Sequence, residues 1–368
     1  MRVAHSLTLA AALSLVVAAS SQAESSQVQS SLEHAQNAAN SKPGPRSVPA
    51  KTIPVPTATV SPDLAAAIAK PYRTPAWNAN PPTAASWTQL VNSLAAQAAA
   101  VLPEWREKLS VTMTRGMMGG VPVFILEPKE MPPENRNRVL LNLHGGGYVY
   151  GPGESGTGEA IALAGYGHFK VIEVDYRMPP AAPYPAAMDD AMAVYKAILA
   201  TTDPSHVAVF GTSTGGGMTL ALMLRAKAEG VPLPAAIAPG TPWADLTETG
   251  DSYKTNEWLD NILVSYHGYL SHAAKLYANG HDLKDPQLSP IYGDFHGFPP
   301  AILTTGTRDL FLSNTVRVHR KLREAGVEAQ LEVFEGFSHA YYTIYPFAPE
   351  SREAYQEIAQ FLSAHMAK

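Results

Sequence analysis

The stretch His206–Gly217, which reads HVAVFGTSTGGG, decides the fold because an apolar run meets a serine flanked by glycines. Val207–Phe210 is predicted to be a buried strand, and residues 218–228 carry apolar side chains at helical spacing. A strand that turns directly into a helix forces a strained backbone, which glycine neighbours tolerate. The Gly-x-Ser-x-Gly pattern occurs elsewhere as an ordinary turn, but this context favours a nucleophile elbow that presents the Ser213 hydroxyl.

A second glycine motif follows the predicted strand Val139–Leu143. It consists of His144, Gly145, Gly146, Gly147 and Tyr148. Successive glycines leave backbone N–H groups unobstructed, so the motif is suited to binding a carbonyl oxygen that gains negative charge. We expect the N–H groups of Gly146, Gly147 and Thr214 to form an oxyanion hole, although a flexible glycine turn is the alternative interpretation.

The candidate base and acid come later in the chain, each after a predicted strand. His339 follows the strand Ala329–Phe334, and Asp309 follows the preceding strand. The order nucleophile, acid, histidine, each at the carboxyl end of a strand, is the order that an α/β-hydrolase topology requires. Glu335 is a rival acid, but its position on the histidine loop is more typical of a surface carboxylate. We therefore expect Ser213 to attack, His339 to accept its proton and Asp309 to orient the imidazole.

Composition excludes several other kinds of chemistry. The chain has 368 residues and no cysteine, which excludes disulfides, a thiolate nucleophile and cysteine-bound metals. Its net charge of −5 is spread along the sequence, so we expect no nucleic-acid partner. We predict neither a metal nor a cofactor, and the sequence does not decide the oligomeric state.

The first residues resemble a secretory signal peptide. Arg2 precedes an apolar run from Leu7 to Ala19, and small residues follow at Ser21 and Ala23. The run is too short to span a bilayer stably, so we expect cleavage after residue 23, a secreted or periplasmic location and no stable membrane insertion. An ordinary N-terminal helix is the alternative. Residues 24–61 are rich in Ser, Gln, Ala, Asn and then Pro, which predicts a flexible leader.

The remaining chain, residues 62–368, alternates strands and helices, which predicts a mostly parallel sheet with helices on both faces. The predicted strands are Ser110–Arg115, Val121–Leu126, Val139–Leu143, Phe169–Val174, Val207–Phe210, Ala235–Ala238, Ala301–Thr305 and Ala329–Phe334. The predicted helices are Asp63–Lys70, Ser86–Val101, Ala186–Ala200, 218–228, Leu312–Ala325 and Ser351–Met366. A helical insertion is expected over Tyr253–Asn279.

Taken together, the motifs resemble one family. The other matching segments are Asp175–Arg177, Tyr184–Ala187, Asp190, Pro242–Leu246, Asp309–Leu310 and Gly336–His339. From about Leu64 to the C-terminus the sequence is similar to the hormone-sensitive-lipase-like family of α/β-hydrolases, bacterial esterases with an HGGG motif. It departs from the usual family pattern at Thr212 and Thr214, which flank the serine, and at Ala181, where a glutamate is common.

The resemblance implies a serine carboxylesterase that needs no cofactor and acts on small-to-medium acyl esters. It also implies an α/β-hydrolase fold with a helical cap, built here from residues of about 63–102 and 251–280. A lactone or amide hydrolase with the same triad is an alternative, as is a small-molecule binding protein without catalysis.

Two smaller predictions concern other side chains near the site. Asp175 and Arg177 are interpreted as a structural pair behind the oxyanion loop rather than as catalytic charges. Four aromatic residues are expected either to line the pocket or to pack in the interior; they are Tyr148, Trp258, Tyr341 and Tyr342.

Overall fold

A computed structural model of the chain describes residues 26–31, 34, 43–73 and 75–367. The predicted signal peptide lies outside these residues, as does part of the predicted leader. Residues 26–31 are helical, whereas residues 45–56 have no regular secondary structure. One compact unit spans Val55–Lys368 and contains every candidate site residue. Within the described ranges, no helix is both long and apolar enough to cross a membrane.

Eight strands among the described residues form one sheet in the order β1-β2-β4-β3-β5-β6-β7-β8. They are β1 (Val111–Met118), β2 (Val121–Pro128), β3 (Val139–Asn142), β4 (Lys170–Val174), β5 (Val207–Thr212), β6 (Ala236–Gly240), β7 (Ala301–Gly306) and β8 (Ala329–Phe334). The β1–β2 and β2–β4 pairs are antiparallel, and the others are parallel. The predicted mostly parallel sheet is confirmed.

The helices of the compact unit surround this sheet. They are α1 (Pro62–Ile68), α2 (Ala84–Ala99), α3 (Leu102–Lys108), α4 (Gly158–Gly167), α5 (Ala186–Leu199), α6 (Thr214–Glu229), α7 (Ser252–Thr255), α8 (Tyr269–Ala278), α9 (Leu312–Glu324), α10 (Tyr341–Ile344) and α11 (Pro349–His365).

The central strand β5 divides the hydrophobic core between the two faces of the sheet. Val207 and Val209 pack in one cluster with residues of α5, α6 and α9. Ala208 and Phe210 pack in another cluster with residues of α4 and α11. Successive side chains of a strand point to opposite faces, so a strand buried on both sides is apolar throughout. The prediction of helices on both faces is confirmed.

Three helices are absent from the predictions: α3, α4 and the short α10. A helix over α3 was not expected, and α4 lies in a segment whose glycines argue against helix formation. The glycines of α4 permit close packing: a Cβ atom on Gly165 would lie 2.6 Å from the Leu109 Cβ atom. In contrast, α2 begins two residues before the predicted Ser86, and Thr83 and Ser86 form a reciprocal capping box at its start.

The insertion between β6 and β7 also differs from the predicted long helical segment. Over residues 251–280 only α7 and α8 are helical, and residues 256–268 between them form turns and irregular backbone. Polar side chains form hydrogen bonds with this irregular backbone, and some of them also contact the candidate site.

Candidate active site

Ser213 occupies a strained turn between β5 and α6, with φ 65° and ψ −122°. Positive φ values are costly for residues other than glycine, and they recur at functional sites. A Cβ atom on either Gly211 or Gly215 would collide with the carbonyl oxygen of Leu143. The two glycines are therefore required by close backbone approach, which is the geometry expected of a nucleophile elbow.

Asp309 and His339 meet at the carboxyl ends of β7 and β8. His339 Nδ1 lies 3.0 Å from Asp309 Oδ1, and both side chains are at most 3% exposed. Asp309 also accepts hydrogen bonds from the Thr305 hydroxyl at 2.8 Å and the Phe311 N–H at 2.8 Å. The carboxylate is thus fixed from several sides, and it holds the imidazole at Nδ1.

Thr241 is a contributor that was not predicted. Its hydroxyl donates to Asp309 Oδ2, and its Oγ1 lies 3.1 Å from His339 Nδ1. A proton on Nδ1 satisfies both neighbouring acceptors, which leaves Nε2 as the basic nitrogen. Thr241 directly follows β6, so its place at the carboxyl edge of the sheet was a signal that could have identified it.

The other imidazole nitrogen, His339 Nε2, has no hydrogen-bond partner in the described part of the chain. His339 and Ser213 line the same cavity, which has a volume of about 560 Å³. Catalytic hydrogen bonds of ligand-free enzymes are often long and tighten only when substrate binds. The arrangement leaves Nε2 without a partner on a residue that shares this cavity with Ser213.

The glycine motif forms a tight loop beside Ser213. Gly146 and Gly147 have φ values of 124° and 66°, and a Cβ atom on Gly146 would collide with the Tyr150 carbonyl. The N–H groups of Val149 and Tyr150 both donate to the Gly146 carbonyl oxygen, at 3.1 and 2.8 Å. That carbonyl therefore points back into the loop rather than into the cavity.

The predicted oxyanion donors differ in their relation to the cavity. Gly145 and Gly146 line it, whereas Gly147 and Thr214 do not. Thr214 begins α6, so its N–H belongs to the first helical turn, where N–H groups have no partner within the helix. The positive end of the α6 dipole lies at the same place, next to Ser213.

His144 stabilises this loop by packing and hydrogen bonding. It is buried and stacks on Tyr176 with ring centroids 4.1 Å apart. The Tyr176 hydroxyl donates to the His144 carbonyl at 2.7 Å. Burial lowers the pKa of His144 to about 4, so its imidazole is neutral at physiological pH. His144 therefore acts as a packing and hydrogen-bonding residue rather than as a second base.

Two buried carboxyl groups near the elbow were also not predicted. Glu159 Oε1 accepts a hydrogen bond from the Thr212 hydroxyl at 2.5 Å, next to the nucleophile. Burial raises the pKa of Glu159 to about 7. Burial and the nearby Glu159 carboxyl raise the pKa of Glu173 well above its usual range. Both groups come from segments with no sequence motif, so no signal in the sequence pointed to them.

The prediction that Asp175 and Arg177 form a pair is wrong. Asp175 Oδ1 accepts the Gly153 N–H at 2.9 Å, whereas Arg177 binds both carboxylate oxygens of Asp190, with contacts of 2.7 and 2.9 Å. Asp175 is held by the backbone at Gly153 and Arg177 by Asp190 of α5, so the two charged side chains have separate partners.

None of the four predicted aromatic residues lines the cavity. Tyr148 stacks on Tyr277 in the interior, Tyr341 and Tyr342 are buried, and Trp258 is 56% exposed. The aromatic residues that do line the cavity are Trp77, Trp105, Tyr150 and Tyr269. Trp77 and Tyr269 come from the two segments predicted as a cap, which also contribute aliphatic side chains of α2 and the residues Ile262 and Leu263.

A metal site has no support in the ranges that the structure covers. Within those ranges, no three His, Cys, Asp or Glu side chains are grouped so that they could hold a metal ion.

The chain is similar to proteins of known family. The family described as alpha/beta hydrolase fold matches residues 140–343. An acetyl-hydrolase of Streptomyces hygroscopicus is 32% identical over 63% of this chain and 77% of the relative. An esterase of Acinetobacter venetianus is 28% identical over 62% of this chain and 75% of the relative.

Solved structures give the same result. The crystal structure of esterase E25 is similar with a TM-score of 0.84 and 41% identity, covering 88% of this chain and 99% of that one. An esterase from the bacterial hormone-sensitive lipase family has a TM-score of 0.66 and 32% identity, covering 70% and 86%. The chain therefore belongs to the hormone-sensitive-lipase-like α/β-hydrolases and is a hydrolase of the carboxylesterase type.

Proposed function

We propose that this hydrolase cleaves small-to-medium acyl esters with Ser213 as nucleophile, His339 as general base and Asp309 as the orienting acid. One observation carries the proposal. The His339–Asp309 hydrogen bond of 3.0 Å holds the imidazole with Nε2 unpartnered, in the wall of the cavity that Ser213 also lines. A base that is oriented by a buried acid and shares a cavity with an activated hydroxyl is the arrangement for acyl transfer.

In this proposal His339 takes the proton as Ser213 attacks the ester carbonyl. The N–H groups of Gly146, Gly147 and Thr214 bind the oxygen as it becomes negative, and each donor is typically worth about 100- to 1000-fold in rate. His339 then returns the proton to the departing alcohol, which leaves an acyl-enzyme. Water, deprotonated by the same imidazole, attacks the acyl-enzyme and releases the acid.

The size and lining of the cavity support the substrate class. A volume of about 560 Å³ suits a small molecule rather than a polymer. Leu94, Ala98, Val101 and Leu102 give one wall an aliphatic character, which is complementary to an acyl chain.

A panel of p-nitrophenyl esters with acyl chains of increasing length, assayed beside lactones and p-nitroanilides, tests the proposal. We expect turnover to be highest for short and medium acyl chains and to decline for long ones. Faster turnover of a lactone or an anilide than of every ester would favour the alternative substrate classes. Absence of turnover on all of them, with Ser213 unreactive, would favour a binding protein.

We also propose that the protein is exported, on the basis of the charge at Arg2 and the apolar run that follows it. N-terminal sequencing of protein recovered from the periplasm or the medium should begin near Glu24. Full-length protein that retains Met1 and stays in the cytoplasm would contradict export.

A further inference from the structure

One carboxylate outside the predicted triad reaches both loops that carry the acid and the base. Asp260 lies in the irregular part of the insertion between β6 and β7 and is fully buried. Its Oδ2 accepts the backbone N–H of Leu310 at 2.9 Å and the backbone N–H of His339 at 3.2 Å. These N–H groups belong to the residue after the orienting acid and to the proposed base itself.

The other oxygen of Asp260 fixes the insertion. Its Oδ1 accepts the N–H groups of Ile262 at 2.8 Å and Leu263 at 3.2 Å. Ile262 and Leu263 line the catalytic cavity. The one carboxylate therefore joins three parts of the site: the acid loop, the base loop and a wall of the substrate cavity.

Two neighbouring amides strengthen the same connection. Asn256 donates to the carbonyl oxygens of Asp309 at 2.8 Å and Thr307 at 3.2 Å. Asn261 accepts a hydrogen bond from the Ser338 hydroxyl at 2.8 Å and donates to the Ala67 carbonyl at 2.9 Å. The segment thus holds both triad loops through side chains, and it extends this contact to helix α1.

The charge of Asp260 also bears on the base. Three titratable groups interact electrostatically with it: Asp309, His339 and Tyr269. Burial and repulsion by Asp309 raise the pKa of Asp260 to about 6, and the interaction with His339 opposes this rise. A carboxylate that attracts a cationic imidazole stabilises the imidazolium that forms when Ser213 loses its proton.

We propose that Asp260 is a positioning residue, which fixes the main chain of His339 and of the Asp309 loop and adds a second negative charge that stabilises the His339 imidazolium. The inference rests on the proposed function, because it assigns Asp260 a role through that base. This role differs from a purely structural one in one respect. Loss of the Asp260 charge changes the pH dependence of the reaction as well as the reaction rate.

The test compares Asp260→Asn with the wild type and with Asp245→Asn. The asparagine keeps the shape of Asp260 but turns an NH₂ group toward backbone N–H groups and removes the charge. Asp245 is a matched control because it is also fully buried and accepts a backbone N–H, from Thr247 at 3.0 Å, as well as an Arg317 contact of 2.8 Å. It has no contact with Asp309 or His339 among the described residues.

For Asp260→Asn we expect kcat on p-nitrophenyl butyrate, per folded enzyme, to fall about 10- to 100-fold, since small misplacements of reacting groups have effects of this size. KM should change by less than about threefold, because the asparagine oxygen still accepts the N–H groups of Ile262 and Leu263 and so keeps that wall of the cavity in place. The acid limb of the kcat profile should move down by about one pH unit, because the imidazolium loses a nearby negative charge. Asp245→Asn should lose stability and keep both kcat and the acid limb.

An Asp260→Asn enzyme with wild-type kcat and an unmoved acid limb would overturn the inference, and so would a fall in kcat that Asp245→Asn reproduces. If Asp260→Asn does not fold, Asp260→Ser takes its place, because the shorter side chain leaves room for water at the four N–H groups. The same shift of the acid limb is expected. Failure of the proposed function is distinguishable, because the wild type itself would then not turn over the ester.

Discussion

Replacement of Asp309 by asparagine tests the geometry of the base most specifically, because the structure fixes how the new amide must orient. Phe311 N–H donates to Asp309 Oδ1, and a backbone N–H cannot become an acceptor. The Thr241 and Thr305 hydroxyls at Oδ2 are able to rotate and accept instead. The asparagine should therefore keep its oxygen toward His339 Nδ1 and place its NH₂ toward the threonines.

The expected loss of activity then comes from the missing charge rather than from a reversed imidazole tautomer. A carboxylate and an imidazolium whose charge centres are roughly 5 Å apart interact by about 3 kcal/mol at an effective dielectric constant near 20. That energy corresponds to a fall in kcat of about 200-fold. A reversed tautomer would cost about 10⁴-fold, so the two explanations differ by well over tenfold.

The assay is the initial rate of p-nitrophenyl butyrate hydrolysis at saturating ester, with the folded fraction measured by circular dichroism. Glu335→Gln is the matched control, since Glu335 is an exposed acid on the base loop and should be replaceable without loss of kcat. An Asp309→Asn enzyme within tenfold of the wild type would refute the role of Asp309. A loss near 10⁴-fold would refute the argument about amide orientation.

Three further predictions follow from the same site. Ser213→Ala should abolish turnover while the melting temperature changes by less than about 2 °C, because the change removes only one hydroxyl, on a residue that lines the cavity; measurable turnover would exclude Ser213 as nucleophile. Gly146→Ala should lower kcat about 100- to 1000-fold, since a Cβ atom there collides with the Tyr150 carbonyl and displaces the loop. Gly153→Ala is its control, because it also has positive φ but open space around the added Cβ atom. Glu159→Gln should become more stable relative to the wild type as pH rises from about 4.5 to 7. The pKa of Glu159 is raised to about 7 in the folded protein. The stabilisation that comes from its protonation is therefore complete below the pKa of the unfolded chain, and it is lost as pH rises through the pKa of the folded protein. Melting temperatures at pH 5 and pH 8 measure this difference, and parallel curves for the two proteins would contradict it.

The fold was predictable because its main signals are local. The apolar run of β5 and the glycines at positions 211 and 215 impose one backbone geometry at the turn. A Cβ atom at either position would collide with the Leu143 carbonyl oxygen, so both positions require glycine. The order of Ser213, Asp309 and His339 then follows from the alternation of strands and helices. Each of these residues lies at the end of a strand, where a parallel sheet gathers side chains from distant parts of the chain.

The helices that were not predicted depend on tertiary contacts rather than on the intrinsic helix propensity of their residues. The glycines of α4 weaken a helical pattern, yet Gly165 is needed where the helix meets Leu109. In α3, Pro103 comes shortly after the end of α2 and is typical of a helix stop, but proline is also compatible with the first turn of a new helix.

Two buried carboxyl groups of the site were not predictable for a different reason. Glu159 and Asp260 reach the site only through tertiary contacts, and Asp260 lies in a segment without regular structure. The pairing of Arg177 with Asp190 depends similarly on where α5 begins. Sequence patterns indicate which residues end strands, but not which buried polar groups satisfy one another.

The central claim is that Ser213 is a nucleophile activated by His339, and covalent labelling tests it most directly. Wild-type protein incubated with diethyl p-nitrophenyl phosphate should gain one diethylphosphoryl group, located on Ser213 by peptide mass spectrometry. Ser213→Ala should gain none, and His339→Ala should react far more slowly. Folded wild-type protein that stays unlabelled, or that carries the group on another residue, would contradict the account.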